Sequence, residues 1–338
     1  MSVEPRPALP PHERASFVLF GAFLLAVFVL HLVPALLAGF LASMLLHGMA
    51  RRLQGERVSR GLSRALAAGL LGLVAGCAVA AVFLLLYGFV RGRLGDFPGL
   101  LDSMGDTFAR LRKTLESTGL NLPLPSADGS TAALASWFRD HAGELRHAGT
   151  AGLRGLVHAL FGTVIGVLVF FRTRADVSGP VASALGRRLR RFDEAFRSVV
   201  KAQIEISAAN TLLTGIYLLA VLPLFGAHLP LPGTLIALTF LTGLIPVAGN
   251  LVSNTVIVLV SLGVSPWVAV SSLVFLVAIH KLEYLLNAKI VGGRIGAAAW
   301  ETLIAILVFE AAFGVPGVIL APVVYAFAKG ELRERGLV

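Results

Sequence analysis

Residues Ser16 to Leu46, SFVLFGAFLLAVFVLHLVPALLAGFLASMLL, contain no Asp, Glu, Lys or Arg. As one helix the stretch would be ~46 Å long. That exceeds the ~30 Å hydrocarbon core of a bilayer and falls short of two full crossings. It is also too long for the apolar core of a cleaved signal, about 7–15 residues, so it is expected to remain in the protein. Pro34, near its middle, points to a pair of short helices in a hairpin. A single tilted span is the alternative, and the choice decides the side on which the N-terminus lies. His31, beside the proline, is expected to be a turn residue.

Working outward, the same pattern recurs. A second uncharged run covers Ala65–Val90, with Ala68, Gly72, Gly76 and Ala80 at four-residue intervals, a stripe of small residues that lets helices approach closely. A third, about 153–171, carries Gly162 and Gly166. Four more spans fit about 203–225, 233–263, 266–287 and 300–328. Over all 338 residues 14% are charged and 56% hydrophobic, against about 25% charged in soluble domains, and the mean hydropathy is +0.82. The expected fold is all-α: a polytopic transmembrane helical bundle of about eight spans, with interrupted helices and a small extramembrane helical insert.

The charges set the topology. The chain carries 29 Lys+Arg against 19 Asp+Glu, a net charge of +10. With no RNA- or DNA-binding motif beside it, this excess reads as cytoplasmic loops rather than nucleic-acid affinity. Arg51, Arg52, Arg57, Arg60 and Arg64 face only Glu56. Residues 172–201 hold Arg172, Arg174, Arg187, Arg188, Arg190, Arg191, Arg197 and Lys201 against Asp176, Asp193 and Glu194. Both segments are expected in the cytoplasm, and the more evenly charged 91–150 outside. The organisation that follows is a disordered, proline-rich cytoplasmic tail (1–15), N-terminal transmembrane helices (16–90), the insert (91–150), a transmembrane helix (151–171), a basic cytoplasmic linker (172–202), a transport core (203–328) and a cytoplasmic tail (329–338). One feature fits poorly: Lys289 and Arg294 fall in an outer loop unless 233–263 is itself a re-entrant pair. Cys77 is the only cysteine, so no internal disulfide or zinc cluster is expected, and no cofactor.

Several residues are candidates for a solute or ion path. Gln203, Ser207, Asn210, Thr214 and Tyr217 are spaced 4, 3, 4, 3, which places them on one helix face. They can line a path or bond neighbouring helices. The run Gly243-Leu244-Ile245-Pro246-Val247-Ala248-Gly249-Asn250 interrupts an apolar stretch with a residue lacking an N–H and with flexible glycines. Such a break is tolerated at membrane depth where protein or a water-filled cavity covers it; a simple proline kink is the plainer reading. Asn250, Ser253 and Asn254 follow at helical spacing. A second break, Phe313-Gly314-Val315-Pro316-Gly317, lies near the end with Ala321-Pro322 after it. Paired interrupted helices are the sequence sign of a transporter's central site. Between them His280, Glu283, Tyr284 and Asn287 share a face, either an interfacial helix end or part of the path. Glu310 follows the apolar stretch Leu303–Phe309 and is the most isolated charge; ionisable groups within spans are rare and usually functional. The absence of a G-x-x-x-x-G-K-[ST] loop argues against an ATP-driven pump, and no H-E-x-x-H or G-x-S-x-G occurs to suggest an enzyme.

This ordered set resembles the autoinducer-2 exporter family, the PerM-like permeases. The likeness rests on the paired N-terminal run, the insert, the basic linker and Ile245-Pro246-Val247-Ala248-Gly249. Glu283-Tyr284 leading to Lys289-Ile290-Val291-Gly292, and Phe313-Gly314-Val315-Pro316-Gly317 with Pro322, complete it. Residues 201–328 are its specific part. Val247 and Asn250 stand where the family more usually has an aromatic residue and a proline. The resemblance implies about eight spans, transport without ATP, a homo-oligomer in the bacterial inner membrane, and a small polar solute or an ion as cargo, since members have been linked both to autoinducer-2 export and to sodium–proton exchange. Three functions therefore compete: an exporter of a small polar metabolite with Glu310 or Glu283 as coupling carboxyl, a monovalent cation–proton antiporter, and a scaffold presenting 91–150.

Overall fold

In a computed structural model, the described residues are 10–54, 59, 61–73, 76, 140, 142–172, 179–244 and 248–337. The expected insert at 91–150 lies outside them except for 140 and 142–150, as do Cys77, Ala80 and Pro246. Among the described residues there is no strand. The helices are α1 (Pro11–Val29), α2 (Val33–Leu53), α3 (Gly61–Leu73), α4 (Ala142–Phe171), α5 (Pro180–Ile216), α6 (Pro232–Gly243), α7 (Ala248–Val264), α8 (Pro266–Ile295), α9 (Ala299–Phe313) and α10 (Val315–Glu334). Five helical stretches are long and apolar enough to cross a membrane: α1, α2, residues 150–171 of α4, α5 extended to Leu224, and α10. The chain is an all-α polytopic bundle with interrupted helices.

The opening run is two helices. Leu30, His31 and Leu32 join α1 to α2, with His31 in the left-handed region at φ 55°. Pro34 sits in the first turn of α2, where its missing N–H would have no partner in any case. Each helix extends past the uncharged run, so both reach ~29–32 Å and the shortfall in length disappears. Glu13 stands in the first turn of α1, while Arg51 and Arg52 stand in the last turn of α2; each charge opposes the helix dipole at its end. The tail expected over 1–15 is corrected accordingly, because helix begins at Pro11, a tolerated first position.

The contacts divide the chain into two compact units. The first comprises α1, α2, α3, residues 151–171 of α4, residues 180–199 of α5, α9 and α10. Phe20 and Phe40 flank the turn at similar distances along the chain. Both pack on Phe192, at 5.8 and 5.4 Å between ring centroids, so α1 and α2 run antiparallel. Phe327 closes the cluster at 5.0 Å from Phe20, and Phe28 stacks on Phe313 at 4.1 Å. Leu46 and Ala50 of α2, Ala67 of α3 and Phe170 of α4 form a second cluster.

The close approach expected at Gly162 and Gly166 is present, and its partner is α2. A Cβ at Gly162 would overlap the Ala35 carbonyl, and one at Gly166 the Gly39 carbonyl. The stripe expected at Gly72 behaves differently: that residue is exposed, and a Cβ there would meet nothing within 4 Å.

The single spans expected at 233–263 and 300–328 are each two helices. Gly314, at φ 64° and ψ −149°, occupies a region open essentially to glycine alone, and it turns α9 into α10. Gly317 lies so near the Phe309 carbonyl that any Cβ would overlap it. In the second unit, residues 200–216 of α5 pack with α6, α7 and α8. There α6, with 12 residues, and α7, with 17, are each shorter than the ~20 needed for a full crossing. This is the two-helix alternative to which Lys289 and Arg294 pointed.

From Pro180 on, the basic segment is not a separate linker but the first half of α5, a helix of 37 residues. After Ile216 one π-turn, Tyr217–Val221, carries a bond from Leu222 N–H to the Tyr217 carbonyl. That wider turn precedes Pro223, which has no N–H to continue the ordinary ladder.

Candidate functional site

In the second unit α6 stops at Gly243. The last amide bond there is short-range, Leu244 N–H to the Leu241 carbonyl at 3.4 Å, and the final carbonyls of a helix lack partners within it. The polar face of α5 supplies them. Gln203 Nε2 donates to the Gly243 carbonyl at 2.6 Å, and Ser207 Oγ to the Phe240 carbonyl at 2.7 Å. Across the break Gly249 abuts the Thr242 carbonyl, where a Cβ would overlap it. This brings the first turn of α7 against the last turn of α6. Asn250 then points back to α5, and Asn210 Nδ2 donates to its Oδ1 at 2.9 Å.

One turn further along, Thr214 is buried, at 1% exposure. Tyr217 ends the face, with its hydroxyl 2.9 Å from Ser271 Oγ and 3.1 Å from Ser272 Oγ. Its ring stacks on Phe275 at 3.9 Å. Ser272 in turn bonds Ser261 at 2.7 Å. Ser253 is buried and bonds backbone carbonyls of its own helix, as does Thr239; Asn254 is half-buried.

The face thus satisfies a broken helix at one end and bonds α8 at the other. Its middle is left with spare capacity. Asn210 Oδ1, Thr211 Oγ1 and Thr214 Oγ1 are buried and have no hydrogen-bond partner among the described residues. Each such group costs about 1–3 kcal/mol until something bonds it. The seam is built of amides and hydroxyls, so it offers donors and acceptors without fixed charge.

The other candidates fall elsewhere. Glu283 and Asn287 belong to α8, in a stretch whose side chains lie outside the description. Glu310, Gly314, Pro316 and Gly317 belong to the first unit. Glu310 is exposed on α9, while Phe309 and Phe313 of the same helix pack their rings on Phe28. Glu301, at the start of the same helix, is engaged instead, accepting from Tyr325 Oη at 2.7 Å, from Ala298 N at 3.0 Å and from Lys329.

Sequence reasoning missed Thr239, Ser261, Ser271 and Ser272. Ser261 could have been found, since it continues the α7 face of Asn250, Ser253 and Asn254 at helical spacing.

It also missed a charged cluster in the first unit. Arg188, 2% exposed, bonds Ser16 Oγ at 2.8 Å, Glu13 at 2.6 Å and Glu331 at 2.9 Å. Arg191 joins Glu331 at 2.8 Å and also Glu334. The guanidinium groups of Arg188 and Arg335 lie over the Phe17 ring, at 3.2 and 4.3 Å. Glu13 precedes the apolar run. Arg187 also bonds Glu13, and Arg335 lies 3.9 Å from it.

A family model described as AI-2E family transporter matches residues 15–334. The chain belongs to that family. No curated protein and no solved structure matches it. The AI-2E match spans both helix breaks, the whole of α5 and the charged cluster apart from Glu13 and Arg335. Membership makes the chain a multi-pass membrane transporter, in keeping with its five long apolar helices.

Proposed function

We propose that this AI-2E family member is a secondary transporter that exports a small polar metabolite across the bacterial inner membrane, as a homo-oligomer and without ATP. The observation carrying this reading is the spare hydrogen-bonding capacity of Asn210 and Thr214 beside the α6–α7 break. A membrane protein keeps unpaired polar groups at such a place where a solute or water completes them. Gln203, Ser207, Gly249 and Asn250 hold the break in shape; Asn210, Thr214 and Asn254 offer the solute contacts. Pro246, Glu283 and Asn287 extend the path, and Gly314, Pro316 and Gly317 form the second break, with Glu310 or Glu283 as the coupling carboxyl.

The test is counterflow in proteoliposomes, with and without a proton gradient, using autoinducer-2 first and then other small polar solutes. Thr214→Val keeps the shape and removes an unpaired hydroxyl. It is expected to slow transport about tenfold, the loss of one hydrogen bond to the solute, while leaving thermal stability unchanged or higher. Unimpaired transport by Thr214→Val would remove the seam from the path. Exchange of a monovalent cation for protons, without movement of any organic solute, would select the antiporter.

A further inference from the structure

The charged cluster of the first unit encloses a cavity of about 350 Å³, within the 300–1,000 Å³ of small-molecule sites. Arg187, Arg188, Arg191 and Arg335 line it, with two carboxylates, Glu13 and Glu334. The first turn of α1, the first turns of α5 and the end of α10 supply these residues. Each belongs to a segment that the sequence pattern assigns to the cytoplasm. Arg187 and Glu334 are exposed, so the cavity is open to solvent.

Ala184, Arg187, Arg188 and Arg191 fall at i, i+3, i+4 and i+7 of α5 and share one face. Ala184 is buried and short, which leaves the space between the longer side chains. The carboxylates position the guanidinium groups without exhausting them. A guanidinium has five N–H donors. Arg187 spends only Nη2, on Glu13, while Arg191 spends Nη1 and Nη2, on Glu331 and Glu334. Among the described residues, Nε and Nη1 of Arg187 and Nε of Arg191 have no bond. The two side chains are neighbours one turn apart, and a carboxylate already holds each of them. Buried Arg188 adds a fixed positive charge beside them.

We infer that this cavity binds a phosphate ester, whose phosphate bridges Arg187 and Arg191. Guanidinium forks match phosphate oxygens in pairs, and in this lining they outnumber carboxylates four to two. The ligand is not the cargo of the seam, which carries no fixed charge. Arg335 joins the lining from the end of α10, so a bound phosphate ties α5 to α10 and stabilises the first unit. The site makes that unit responsive to a phosphorylated ligand on the cytoplasmic side.

Isothermal titration of the purified protein with glycerol 3-phosphate, at constant ionic strength, tests the inference. One saturable site is expected, with a melting temperature that rises as it fills. Arg187→Gln should weaken binding about tenfold or more, the loss of charged hydrogen bonds to the phosphate. Arg190→Gln removes an exposed arginine of the same helix that does not line the cavity, and it should bind like the wild type. Phosphatidylglycerol in nanodiscs separates two sources of the phosphate. Displacement of glycerol 3-phosphate assigns the site to a lipid headgroup and no displacement to a soluble ester; either supports it. No saturable binding up to about 10 mM, a millimolar-class affinity, overturns the inference. So does equal weakening by Arg187→Gln and Arg190→Gln, which is the mark of diffuse attraction to a basic surface.

Discussion

Replacing Arg188 by alanine is expected to lower folding stability by about 3–5 kcal/mol, the usual result of removing one member of a buried ion cluster. The guanidinium is 2% exposed and bonds Glu13, Ser16 and Glu331, so its loss leaves buried oxygens whose desolvation nothing offsets. Arg187→Ala serves as the comparison. That side chain is 43% exposed and, among the described residues, pairs only with Glu13, and exposed pairs contribute under about 1 kcal/mol. Thermal unfolding in detergent should separate the two clearly, and equal losses would show that burial is not what gives Arg188 its weight.

Gly162→Ala is expected to destabilise by about 1–3 kcal/mol or more. The added Cβ would overlap the Ala35 carbonyl, which is backbone and cannot rotate away, so α2 and α4 must separate along their whole contact. Gly48→Ala, on the same α2 helix, meets nothing within 4 Å and should be neutral or stabilising by about 0.5–1 kcal/mol through better helix propensity. Melting temperatures of the pair decide the matter. If Gly162→Ala melts with the wild type, the helices are not held at backbone contact. Gly317→Ala, against the Phe309 carbonyl, should follow Gly162→Ala rather than Gly48→Ala.

The helical class, the α1–α2 turn at Pro34, both glycine-proline breaks and the 4-3-4-3 face were legible because each is a local pattern. The number of helices was not. Two short helices separated by apolar residues look like one long run when only hydropathy is read, and 233–263 was read that way. The orientation of Glu310 was hidden for a different reason. Apart from Glu301, Thr302 and Glu310, α9 is apolar on all sides, so periodicity gives little rotation for it. The Arg188 cluster was invisible because its partners stand 175 and 143 positions away. From the sequence those arginines spoke only of topology. The spare groups of Asn210 and Thr214 could not be seen either, since a stripe states which side chains share a face and not which of them find partners.

The span between Arg188 and Glu331 has a consequence for how the protein is made. A ribosome adding about 5–20 residues per second needs roughly 7–30 s to deliver Glu331 after Arg188, and every residue of α6, α7 and α8 is synthesised in that interval. The nested unit can therefore assemble while its host is still missing two helices, and Arg188 waits at the membrane surface with Glu13 and Ser16 alone. α10, made long after α1, is the helix that completes these early contacts. Chains stalled before α10 should persist as a recognisable half-assembled species, the natural substrate for membrane quality control.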